Sequence, residues 1–145
     1  MERPASSFSE RPIRQQTEGL ALPKAIILVV ESEALIRMSA VQTLEDAGYS
    51  VPSASNAVEA IKIMEGCSEI RAVLTDINMS GSVDGLALAH AIRNRWPPVH
   101  LIVTSGRHIG DRTIFPTGTR FVRKPYGGSE LVAVLENLLL QGAKS

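Results

Sequence analysis

Uninterrupted apolar runs alternate along the chain with segments whose apolar residues recur every three or four positions. The run AIILVV (25–30) has the character of a strand buried on both faces. Leu35, Met38, Val41 and Leu44 then follow at helical spacing and stop at Gly48, a residue suited to ending a helix. YSVPS (49–53) is a short strand candidate, and its Pro52 points to a sheet edge or a strand end. Ala57, Ala60, Ile61 and Met64 form one apolar helix face. IRAVLT (70–75) and VHLIVT (99–104) read as further strands, and TRFVR (119–123) as a shorter one. Ala89, Ile92 and Trp96 mark a helix stopped by Pro97-Pro98, and Leu131, Val134, Leu135 and Leu138 mark a last one. Such alternation implies a parallel sheet with helices on both faces. SGRHIGDRTIFPTG (105–118) breaks the pattern with three Gly, one Pro and little periodicity, so a helix there is expected to be short or absent.

Composition narrows the field. Residues 1–23 mix three Arg with three Glu among Pro and Ser, and read as a flexible N-terminal extension. They lack the apolar stretch of a secretory signal. Residues 24–141 are expected to form one domain and 142–145 a short tail. No segment reaches the ~18 apolar residues of a membrane span. Fifteen basic residues balance fifteen acidic ones, which disfavours a nucleic-acid-binding face. A lone Cys67, read as a small residue near a helix end, permits no intramolecular disulfide and suits a reducing compartment. His90, His100 and His108 show no metal-ligand spacing and are assigned ordinary structural roles. Trp96 is read as helix-end packing, and Gly127-Gly128 as a loop into the last helix.

In an open parallel α/β sheet, chemistry sits beyond the C-terminal ends of the strands. After the first strand comes Glu31, after the third Asp76, after the fourth Thr104-Ser105, after the fifth Lys124-Pro125. Two acids, a hydroxyl and a lysine would therefore converge on one crevice. Glu33 reads as an acid placed for the positive end of the following helix.

LTDINMSGSVDGL, LIVTSG and FVRKPY, in that order after an acid-tipped first strand, resemble the receiver domain of two-component response regulators of the single-domain type, over about residues 24–141. The resemblance implies a flavodoxin-like, doubly wound sheet of five parallel strands in the order 2-1-3-4-5, here with a weak or missing fourth helix. It implies that Asp76 accepts a phosphoryl group, with Mg²⁺ held by Asp76, the Asn78 carbonyl and Glu31 through water. It implies that Lys124 pairs with Asp76 or a phosphoryl oxygen, that Thr104 bonds another phosphoryl oxygen, and that Phe121 is the aromatic of the switch. It further implies a cis bond before Pro125 and a loop closed by Asp84-Gly85. The implied partners are a histidine kinase or phosphotransfer protein, then a downstream effector protein or a second copy, in a bacterial cytoplasm, with no nucleic acid and no membrane. No enzymatic turnover is implied beyond self-phosphorylation from a donor and slow autodephosphorylation.

The sequence departs from the family pattern at Ser32, where a second acid is usual, so Mg²⁺ is expected to bind more weakly. Ser80 replaces the usual Pro after Met79, and one extra residue precedes Asp84. The competing reading is a pseudo-receiver that signals by contact without productive phosphorylation. Haloacid-dehalogenase chemistry would need a second Asp where Asn78 stands, and a flavodoxin would need a phosphate loop where ESEALIR stands.

Overall fold

Five strands carry the apolar runs: β1 (Ile26–Val30), β2 (Ser53–Ala54), β3 (Ile70–Asp76), β4 (His100–Ser105) and β5 (Arg120–Arg123). Between them lie α1 (Ala34–Asp46), α2 (Ala57–Gly66) and α3 (Gly85–Arg95), and α4 (Gly128–Lys144) closes the described chain. The computed structural model describes residues 24–77, 85–106 and 110–144. All strand pairs are parallel, in the order β2-β1-β3-β4-β5. This is the flavodoxin-like order expected from the resemblance.

Strand side chains alternate between the two faces of a sheet, and here each face has its own core. Leu28, Val30, Val73, Leu101 and Val103 pack with Ala57, Ala60 and Met64 of α2 and with Leu88, Ala89 and Ile92 of α3. Ile27, Val29, Ala72, Leu74 and Ile102 pack with Ala40 and Leu44 of α1 and with Leu131, Leu135 and Leu138 of α4. Cys67 and Trp96 are half-buried against the first of these cores, as their expected structural roles require.

Helix ends follow local chemistry. The Asn56 side chain accepts the Glu59 amide at 2.9 Å and starts α2. Gly48, at φ +102°, ends α1, and the Tyr49 amide returns to the Leu44 carbonyl at 3.1 Å. Pro52 lies beside the edge strand β2, where its missing N–H costs nothing and its carbonyl accepts the Val29 amide.

Two expectations are corrected. Leu35 and Met38 do not face the core: they are 82% and 63% exposed, and α1 buries Ala40 and Leu44 instead. Gly128 is the first residue of α4 rather than loop, set close against Thr43 of α1. α4 itself runs to Lys144.

Between β4 and β5 the described residues hold a single 3₁₀ turn, Arg112–Ile114, capped by the Asp111 carboxylate. This matches the weak fourth helix expected from the sequence. Side chains of α3 hold the connection in place. His90 Nε2 lies 2.6 Å from the Ile114 carbonyl. Arg93 donates to the carbonyls of Pro97 at 2.7 Å, Val99 at 2.9 Å and Thr117 at 3.4 Å. His90 therefore has the structural role expected of it. His108 lies outside the described residues.

Candidate functional site

The sheet register brings the strand ends level. Val30 pairs with Thr75, Asp76 with Thr104, and Ser105 with Arg123. Backbone bonds extend this alignment past the strands: the Ile77 amide donates to the Thr104 carbonyl at 2.9 Å and the Lys124 amide to the Ser105 carbonyl at 2.8 Å. Glu31, Asp76, Thr104 and Lys124 consequently stand together at the C-terminal edge, around the point where the strand order reverses.

Burial is deep for such polar groups. Glu31, Asp76, Thr104 and Ser105 are 4%, 7%, 2% and 2% exposed. Carboxylates are rarely buried unless paired, and here Lys124 pairs with both. Its Nζ lies 2.7 Å from Glu31 Oε1 and 3.4 Å from Asp76 Oδ2. The resemblance implies that Lys124 pairs with Asp76 or a phosphoryl oxygen; here it reaches Asp76, and its shorter contact is to Glu31. Burial pulls the Lys124 pKa down, but the Glu31 hydrogen bond and the charges of Asp76 and Glu31 outweigh it and hold the ammonium above the usual lysine value. The other Glu31 oxygen, Oε2, accepts the Glu33 amide at 3.0 Å. The Lys124–Pro125 bond is cis.

Gly85 completes the local geometry. It opens α3 directly against the end of β3, and its amide donates to the Ile77 carbonyl at 3.1 Å. A Cβ there would collide with the Asp76 carbonyl and would lie 2.7 Å from Ile77 Cα. Asn78 and Asp84 lie outside the described residues, as do Met79 and Ser80.

Phe121 stands one pair behind Thr104, opposite Val103, and is half-buried. Its ring meets Phe115 edge-on at 5.2 Å and 82°, and the Arg112 guanidinium lies 4.7 Å from its centre. Tyr126 borders the site, and no motif of the sequence assigns it a role. Burial raises its phenol pKa, Lys124 opposes this, and Glu31 and Asp76 add to it. Its place directly after Lys124-Pro125 was the only available signal.

The donor set suits a hard divalent cation. Glu31 and Asp76 offer carboxylate oxygens from adjacent strand ends, and an ammonium already lies within reach of both. Ser32 is half-buried beside them. Among the described residues, no group of three or more His, Cys, Asp or Glu could hold a metal, so a cation here would rely on carbonyl or water oxygens as well.

The model of the response regulator receiver domain family matches residues 27–136. Curated relatives include an NtrX-like response regulator of Rickettsia felis, 30% identical over 114 residues, covering 76% of this chain and 24% of the relative. Another is the sensor kinase CckA of Brucella abortus, 32% identical over 120 residues, covering 79% of this chain and 12% of the relative. The chain thus spans a quarter or less of these relatives' length. Among solved structures, a response regulator receiver protein of Sinorhizobium medicae superposes with TM-score 0.76 at 25% identity, covering 81% of this chain and 96% of that one. NtrX of Brucella abortus, solved in complex with ATP, gives TM-score 0.74 at 30% identity over 82% of this chain and 28% of that one.

Proposed function

The chain belongs to the response regulator receiver domain family, and on that premise we propose that it accepts a phosphoryl group on Asp76 from a histidine kinase or phosphotransfer protein, with Mg²⁺. The observation that carries this reading is the convergence of Glu31, Asp76, Thr104 and Lys124 at one sheet edge, with Lys124 bridging the two buried acids.

In the transfer, an Asp76 carboxylate oxygen bonds to phosphorus. The bond from phosphorus to the donor's histidine nitrogen breaks, and its electron pair stays on the imidazole. The difficulty is repulsion between an anionic nucleophile and an anionic phosphoryl group. Lys124 lowers that barrier with a fixed positive charge, which its two acid neighbours keep protonated. Mg²⁺, when bound, supplies further charge neutralisation; Glu31 and Asp76 would hold it, with the Asn78 carbonyl as a third donor. Thr104 would offer its hydroxyl to the transferred group. Phe121, in contact with Arg112 and Phe115, would carry the change toward the β4–β5 connection. The output is read by an effector protein or a second copy. No helix among the described residues is long and apolar enough to cross a membrane.

Intact mass after incubation of the protein with a small phosphodonor tests the reading. A single phosphoryl adduct is expected that requires Mg²⁺ and disappears in Asp76→Asn. Ser32→Asp, which restores the acid usual in the family, is expected to lower the Mg²⁺ needed by about tenfold, equivalent to ~1.4 kcal/mol. Absence of an adduct at saturating Mg²⁺, in a folded protein, would favour the pseudo-receiver instead.

A further inference from the structure

Glu31 lies on the bend between β1 and α1; its amide donates to the Ala54 carbonyl at 3.0 Å, and three further contacts fix the bend. Two hold its carboxylate: Lys124 on one oxygen and the Glu33 amide on the other. The third holds its backbone. Arg37 Nη1, reaching back from the first turns of α1, donates to the Glu31 carbonyl at 2.8 Å. The N-cap residue of α1, Glu33, makes no side-chain capping bond. The entry to α1 is therefore secured by the Glu31 carboxylate and by Arg37 rather than by a capping side chain. The Arg37 charge is also felt at the start of α2. The Glu59 carboxyl there is held low first by hydrogen bonds from Ser55, with Arg37 adding to them. Arg37 is half-buried among these groups, unlike the exposed Leu35 and Met38 beside it.

A guanidinium on a carbonyl makes a strong, directional, charge-assisted bond. Without it, the Glu31 carbonyl is left to water, and one of the bonds that fix the aim of the carboxylate on the same residue is lost. With Ser32 in the neighbouring position, Glu31 is the only strand-end acid that stands with Asp76 among the described residues, so its aim matters. We propose that Arg37 is a positioning residue: by holding the Glu31 carbonyl it aims the Glu31 carboxylate at Lys124 and Asp76. Its consequence for Mg²⁺ rests on the phosphoacceptor reading; its geometry does not.

The test compares the full chain with Arg37→Met and Arg37→Lys, using amide hydrogen exchange by NMR and Mg²⁺ titration. In Arg37→Met the Glu33 amide should exchange about tenfold faster, while the Leu44 and Ala47 amides later in α1 keep their wild-type rates. Mg²⁺ should bind roughly three- to tenfold more weakly. Arg37→Lys, which keeps one charged donor, should recover most of both. Unchanged exchange at Glu33, or a uniform rise along α1, would overturn the proposal, as would faster Glu33 exchange with unchanged Mg²⁺ affinity. A wild type that neither binds Mg²⁺ nor forms a phosphoryl adduct removes the phosphoacceptor reading, and the Glu33 amide alone then decides the case for Arg37.

Discussion

Lys124 and Gly85 show how individual residues shape the site. Burial alone would lower the Lys124 pKa; two acids reverse that. Because its folded pKa is raised, its contribution to stability is fully present below the unfolded lysine value, about 10.4, and is lost as pH rises through the higher folded value. Across the neutral range its charge is constant, so it serves as a fixed cation. Gly85 acts through what it lacks. Gly85→Ala forces a methyl group into the Asp76 and Ile77 backbone, which cannot swing aside as a flexible side chain could. A destabilisation of about 1–3 kcal/mol is expected in denaturant titration, together with slower adduct formation as Asp76 is pushed out of line.

At the scale of elements, α1 shows where periodicity misleads. Leu35, Met38, Val41 and Leu44 follow a helical repeat, yet the first two point to solvent and small Ala40 lies inside. The repeat described a helix correctly but not the face that α4 and the sheet cover. Leu35→Ser and Met38→Ser should therefore change stability by no more than about 0.5 kcal/mol. Leu44→Ala should cost about 2–5 kcal/mol. Equal effects in thermal melts would contradict the packing. The β4–β5 connection makes the complementary point. Lacking a regular helix, it depends on α3, where one guanidinium satisfies carbonyls of the helix end, the start of β4 and the connection itself. Arg93→Met should cost about 1.5–3 kcal/mol and speed amide exchange at Phe115 and Thr119, leaving β1 and β3 protected.

For the molecule as a whole, one contribution to acid stability comes from a histidine that feels charges on two other elements. His100 opens β4, and its pKa is lowered by burial first, then by the charges of Arg71 on β3 and Arg93 on α3. A depressed folded pKa means that the unfolded state takes up the proton more readily. Stability is then present above the unfolded value of 6.5 and is lost as pH falls below it. His100→Asn should flatten the fall in melting temperature between about pH 7 and 5. A fall as steep as in the wild type would show that His100 does not drive it.

How much of this was legible follows from the range of each interaction. Buried strands announce themselves as continuous apolar runs, and the order of strands and helices, a parallel sheet covered on both faces and the acids, hydroxyl and lysine at strand ends could be read from that pattern, while the strand order came from the resemblance. These depend on neighbours in sequence and on the handedness of parallel connections. Which face of α1 is buried, which acid Lys124 touches most closely, and why Gly85 must lack a side chain depend on residues far apart in the chain. The Lys124–Glu31 contact joins positions 93 residues apart, and the Arg93 bonds to the β4–β5 connection link α3 to a segment with no pattern of its own. Sequence alone determined the elements, their order and the residues delivered to the sheet edge. Tertiary structure alone decided their pairing, because contact distances and burial exist only once the two faces of the sheet are packed.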